Sequence, residues 1–150
     1  MTAIKRSAQA VWLGTGREGS GTLSATSDVL NQTPYSFNAR FQNEDGKAGT
    51  NPEELMAAAH AGCYAMQLSF LLTGAGFSPT ALQTRATVEL VEDGAGFKLS
   101  GIALALEGQV TSISTEQFAQ LATEAKQICP LLKALSAVPI TLEAKLIPPA

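Results

Sequence analysis

The sequence predicts an α+β fold, with antiparallel sheets packed around two long helices. Three observations predict it. Two adjacent segments, Leu82 to Val91 and Phe97 to Val110, alternate with a period of two. A long, nearly uncharged segment opens at Asn51 with clear helix-start signals, and a second segment with helical spacing runs from Ser114 to Cys129. With 150 residues, 45% of them hydrophobic and 15% charged, the chain has the size and apolar share of one domain spanning 1–150.

The elements follow in order. Ala8 to Leu13 and Thr22 to Thr26 read as the arms of an opening β-hairpin. The Gly-rich stretch between them lacks the Lys-Ser/Thr ending of a phosphate loop and no helix pattern follows, so it reads as a turn. Tyr35 to Phe41 reads as a strand, with Tyr35, Phe37, Ala39 and Phe41 on one face and Arg40 on the other. Gln42 to Gly49 is a polar loop.

The long helix then starts near Thr50 or Asn51. Asn51 caps free N–H groups, Pro52 suits the first helical position, and Glu53 and Glu54 complement the positive end of the dipole. From Leu55 to Leu72 the composition is so apolar that the helix is expected to be buried around most of its circumference. Gly74, Gly76 and Pro79 end it.

Leu82, Thr84, Ala86, Val88 and Leu90 share one strand face, and Glu92 to Gly96 turns the chain into the return arm. On that arm Phe97, Leu99, Gly101 and Ala103 form the alternating set. Ser114 with Gln117 resembles a capping box, and Phe118, Leu121, Ala122, Ala125 and Ile128 follow at helical spacing. Pro130 opens a short helix through Leu135, Val138 to Leu146 closes the fold as a strand, and Pro148-Pro149 reads as a frayed end.

Composition narrows the function. A net charge of −3 leaves no basic surface for nucleic acid or anionic membranes. No signal peptide is read at the start, and no stretch is read as reaching the roughly 18 apolar residues of a membrane span. A cytoplasmic protein is expected. Two cysteines are too few for a secreted disulfide framework, and with the single His60 they cannot complete a four-ligand zinc site.

Cysteine reacts as the thiolate. Cys63 lies midway along the apolar helix, where desolvation opposes ionisation, so reactivity there requires a fixed cation, for which Arg40 is the candidate. Cys129 precedes Pro130 at a helix start, with Lys126 and Lys133 nearby in sequence, so it too has a source of activation. His60, one turn before Cys63, invites a Cys–His ion pair, although a lone histidine on a helix face is more often structural. Free cysteines commonly act as small buried hydrophobes, and spacing alone does not say which sulfur would attack a substrate.

Three stretches together resemble the OsmC branch of the OsmC/Ohr family. They are Gly49-Thr50-Asn51-Pro52-Glu53-Glu54-Leu55 with Ala57-Ala58-Ala59-His60-Ala61-Gly62-Cys63, then Ala125-Lys126-Gln127-Ile128-Cys129-Pro130, and the arginine-bearing run Leu30 to Phe41. The resemblance implies an organic hydroperoxide reductase, a thiol peroxidase without cofactor or metal. In it Cys63 matches the peroxidatic cysteine, Cys129 the resolving cysteine, and Arg40 and Glu53 the polar partners of the thiolate. It also implies an intertwined homodimer and reduction by small dithiols or dihydrolipoyl proteins. Gly62 before Cys63, and Leu131 and Leu132 after Pro130, depart from the family pattern without removing a reacting group.

The dimer has a geometric argument too. Glu53 and Cys63 are ten positions apart, about 15 Å along one helix, so a Glu53 that serves Cys63 is most simply supplied by a second subunit. Two rival readings remain at this level. One is a redox-sensing or binding protein on the same fold without efficient turnover; the other is a structural or metal-binding domain with inert thiols.

Overall fold

The computed structural model describes residues 2–148, so Pro149, in the stretch read as a frayed end, lies outside the described residues. The chain forms two compact units, Met1–Leu55 and Met56–Ala150.

In the first unit β1 (Ala8–Leu13) and β2 (Ser20–Ala25) form the expected hairpin, and β3 (Thr33–Ser36) joins as a third antiparallel strand in the order β1-β2-β3. The hairpin turn needs its glycines. Gly14 has φ +94°, and a Cβ on Gly19 would lie 2.4 Å from the carbonyl oxygens of both Leu13 and Thr15.

The strand expected through Phe41 stops at Ser36 and gives way to a five-residue helix, α1 (Phe37–Phe41). Ser36 is the reason: its Oγ accepts from the N–H of Ala39 at 3.1 Å, an N-cap that starts the turn. Phe37 and Phe41 then meet as an i, i+4 pair with ring centroids 4.8 Å apart. Alternating apolar residues over seven positions suited a strand equally well, and the cap decides between them.

The long helix α2 (Pro52–Gly74) begins where the sequence indicates: Asn51 Oδ1 accepts from the N–H of Glu54 at 2.8 Å. Its burial differs from expectation. His60, Tyr64, Leu68 and Leu72 form one buried stripe, while Ala58, Gly62, Met66 and Phe70 are exposed on the other side. By length and composition α2 is also long and apolar enough to cross a bilayer, contrary to the sequence reading. The stripe it packs into protein marks it as a core helix.

In the second unit β4 (Pro79–Asp93) and β5 (Gly96–Val110) pair antiparallel over nearly their whole length. The register shifts between Glu89 and Leu90, passing over Ser100 on the opposite strand. This shift moves the buried face of β5 to Ile102, Leu104 and Leu106 and leaves Phe97 and Ala103 exposed, unlike the set read from alternation.

After α3 (Thr115–Ile128) and α4 (Pro130–Ala134), β6 (Ile140–Leu146) pairs with β5 in parallel, so this sheet is mixed rather than wholly antiparallel. Ser114 Oγ caps α3 by accepting from the N–H of Gln117 at 3.1 Å. Tyr64, Leu68 and Leu72 join Leu104, Leu106, Val110, Phe118, Ala122 and Ala125 in one apolar core. Gly108 leaves room for it: a Cβ there would lie 2.5 Å from the Phe118 ring.

Candidate active site

In the first unit Arg40 and Glu53 meet. Arg40 Nε lies 3.2 Å from both carboxylate oxygens of Glu53, and Nη2 donates to Oε1 at 2.6 Å. Two donors facing one carboxylate fix the plane of the guanidinium as well as its place. The pair is partly shielded, with side chains 36% and 14% exposed, and Arg40 also lies over the Phe41 ring at 5.0 Å. Glu53 is positioned by the cap of α2, and Arg40 by the short α1.

A hollow of about 220 Å³ opens beside Arg40, lined by Trp12, Gly16, Tyr35, Ser36, Phe37 and Phe41. Trp12 and Tyr35 pack with centroids 5.3 Å apart, and Gly21 makes this contact feasible because a Cβ there would lie 2.5 Å from Tyr35 and 2.7 Å from Trp12. The sequence reading placed Tyr35, Phe37 and Phe41 together on one face. It missed Trp12, which reaches this place through strand pairing with no local signal.

In the second unit the two sulfurs meet. Cys129 at the end of α3 donates its S–H to Cys63 Sγ of α2 across 3.2 Å, and both are free thiols. Cys129 is wholly buried, whereas Cys63 is half-buried. The buried stripe of α3, namely Phe118, Ala122, Ala125 and then Cys129, aims the second sulfur inward.

Cys129 is not activated in the way the sequence suggests. Burial pushes its thiol up, the amides of Leu132 and Leu131 only partly offset this, and neighbouring Cys63 adds to the rise. It occupies the N-cap position of α4, where those amides favour the thiolate less than burial opposes it. It is therefore a thiol at neutral pH, suited to donate its proton first and attack later.

His60 is wholly buried, and neither ring nitrogen has a hydrogen-bond partner among the described residues. Desolvation lowers its pKa, so it is neutral at neutral pH and forms no imidazolium for a Cys–His ion pair. The linkage sign follows. The unfolded chain binds a proton on His60 below about pH 6.5 while the folded chain resists it, so stability is full above that pH and declines as pH falls towards the lowered folded value. Urea unfolding at pH 7.5 and pH 5 is expected to show this loss, and His60→Leu is expected to reduce it. An unchanged pH dependence in His60→Leu would contradict the assignment.

Tyr64, unremarked in the sequence, is wholly buried beside Cys63 in the chain and donates to the carbonyl of Ala122 at 2.9 Å. Burial raises its phenol pKa strongly, and the nearby Cys129 raises it further. It ties α2, which carries Cys63, to α3, whose C-terminus Cys129 caps. No group of three or more His, Cys, Asp or Glu side chains that could hold a metal occurs among the described residues.

A buried thiol facing a half-buried one, beside a mixed sheet, defines an α+β protein with a close pair of free cysteines. The chain belongs to the OsmC family: residues 44–143 match the family model described as OsmC-like protein. It is 46% identical over 143 residues to Peroxiredoxin OsmC of Escherichia coli (strain K12), covering 95% of this chain and 97% of that protein. It is 34% identical over 97 residues to the organic hydroperoxide resistance protein OhrA of Bacillus subtilis (strain 168), covering 63% and 66%. Among solved structures, the organic hydroperoxide resistance protein OhrB of Bacillus subtilis superposes with a TM-score of 0.70 at 28% identity, covering 93% of this chain and 98% of that one. The chain is a peroxiredoxin-like peroxidase.

Proposed function

We propose that this protein reduces organic hydroperoxides to alcohols through a sulfenic acid on Cys63 and a Cys63–Cys129 disulfide. The observation that carries the reading is the 3.2 Å separation of the two sulfurs, one half-buried and one wholly buried as a thiol. The Cys63 thiolate attacks the distal peroxide oxygen, the O–O bond breaks, and the alkoxide leaves as the alcohol after taking a proton. The sulfur, oxidised by two electrons, now carries a hydroxyl. Cys129 attacks it, the S–S bond forms and water departs. An external dithiol, small or protein-bound dihydrolipoyl, then takes up the oxidation as its own disulfide.

In this reading Arg40, held by Glu53, supplies the positive charge that favours the attacking thiolate and the departing alkoxide. The bidentate pairing and the family resemblance support that role. The protein works in the cytoplasm as one domain, without bound cofactor. The direct test is intact-mass measurement before and after one equivalent of cumene hydroperoxide. Loss of two hydrogens, mapped to a Cys63–Cys129 link, is expected. Two intact thiols in excess oxidant would leave only a structural role.

We also propose a homodimer. Its support is the apolar stripe Ala58, Gly62, Met66 and Phe70, in which Met66 is 64% and Phe70 67% exposed in the single chain. A second copy of α2 is the occupant that repeats the same stripe about a two-fold axis. Light scattering at micromolar concentration is expected to give twice the chain mass, and Phe70→Glu to shift it towards one chain mass. A wild-type monomer would end this proposal.

A further inference from the structure

We propose that Arg17 is a carboxylate-recognising residue of the substrate site, selecting amphipathic hydroperoxides that carry an anionic group remote from the peroxide. The inference rests on the reading above, in which Arg40 receives the peroxide end. Its basis is a row of four neighbouring side chains, the two middle rings tilted at 44° to each other. The Arg17 guanidinium carbon lies 5.2 Å from the centre of the Phe37 ring, that ring lies 4.8 Å from Phe41, and the Arg40 guanidinium carbon lies 5.0 Å from the Phe41 ring. These separations set an upper limit of about 15 Å between the two guanidinium carbons. Two aromatic rings with a cation at each end suit a ligand with an apolar middle and two polar ends.

The two ends are not equivalent. Arg40 has its fork filled by Glu53, whereas Arg17 takes part in no ion pair among the described residues. Arg17 lines an open hollow with Thr15, Gly16, Glu18, Phe37 and Phe41, and Gly16, Phe37 and Phe41 also line the hollow beside Arg40. The turn that carries Arg17 is well tied. Gly19 N–H donates to Thr15 O at 2.8 Å, Glu18 N–H to Thr15 Oγ1 at 3.1 Å, and Trp12 Nε1 to Thr15 O at 3.1 Å. A guanidinium already stacked on a ring and set on such a turn loses little freedom when its planar donors take a carboxylate. Glu18 opposes an anion in the same hollow, and this supplies a test of sign.

Trp12, the chain's single tryptophan, lines the hollow beside Arg40, so its fluorescence reports occupancy without turnover. The probe is laurate below its micellar concentration, with dodecanol as the uncharged comparison. Laurate is expected to bind the wild type more tightly than dodecanol. Arg17→Gln is expected to weaken laurate about tenfold, as for loss of a charge-assisted pair, and Glu18→Gln to tighten it. In turnover, the ratio of kcat/KM for a long-chain hydroperoxy acid to that for its methyl ester is expected to fall in Arg17→Gln, through KM. Laurate affinity unchanged in Arg17→Gln, no laurate binding, or equal use of acid and ester by the wild type would each overturn the proposal. Laurate binding that depends on Arg17 in a protein that reduces no peroxide would uphold the anion subsite and overturn the peroxidase reading instead.

Discussion

Replacing Cys63 by serine is expected to abolish turnover of cumene hydroperoxide with a dithiol reductant, a loss of at least about a thousandfold. Serine keeps the size of the group, but its hydroxyl ionises far above the thiol range and cannot accept the two-electron oxidation. Cys129→Ser is expected to behave differently. Its first turnover proceeds, Cys63 accumulates as a sulfenic acid trappable by dimedone, and steady-state rates fall to what an external thiol supports. The contrast assigns the roles, because inactivation with trapping at Cys129 in Cys63→Ser would reverse them. The pH dependence separates the steps further. Burial holds the Cys129 thiol above its ordinary range, so disulfide closure is expected to quicken with rising pH through and beyond that range. Stopped-flow measurement of the second step alone tests this.

The same two residue positions show what a sequence can convey. Cys63 and Cys129 are visible as candidates because cysteine is scarce here, and because Cys63 lies on a strongly marked helix and Cys129 at the end of another. The start of α2 was legible from Asn51, Pro52, Glu53 and Glu54, whose chemistry acts on the nearest backbone groups. The faces of β4 were legible for the same local reason, since alternation follows from the pleat itself. The register of β5 was not, because the shift opposite Ser100 is a property of the pair rather than of either strand. The parallel direction of β6 was equally silent, as a strand reads the same in either direction.

Legibility failed at α1 for a different reason. Five residues are too few to establish a helical period, and a single Ser36 hydroxyl decides the outcome. That local choice matters to the site, since it pairs Phe37 with Phe41. The partnership of Cys63 with Cys129, 66 positions apart, and that of Arg17 with Phe37 arise only from tertiary packing. The apolar content of α2 misled in the opposite sense. It measures how apolar the helix is rather than how much of it packs inside the chain, which buries only the stripe of His60, Tyr64, Leu68 and Leu72.

The second large effect is expected at Arg40. Arg40→Gln should lower kcat/KM for organic hydroperoxides about a hundredfold or more, the size found when a preorganised charge aimed at a developing anion is removed. The loss should appear in the reaction that forms the sulfenic acid and leave disulfide closure nearly untouched, since closure joins Cys63 and Cys129 within the second unit. Arg40→Lys tests the fork. It keeps the charge but cannot present Nε and Nη2 together to Glu53, so only partial recovery is expected. Glu53→Gln keeps the shape and removes the anion that holds the guanidinium, and a smaller loss, about tenfold, is expected there. If Glu53 acts through Arg40, the double variant Arg40→Gln, Glu53→Gln should be little worse than Arg40→Gln alone. Fully multiplicative losses would mean that Glu53 serves the reaction independently. Arg40→Gln with wild-type kcat/KM would remove the arginine from the mechanism and leave the source of thiolate stabilisation to be sought on α2 itself.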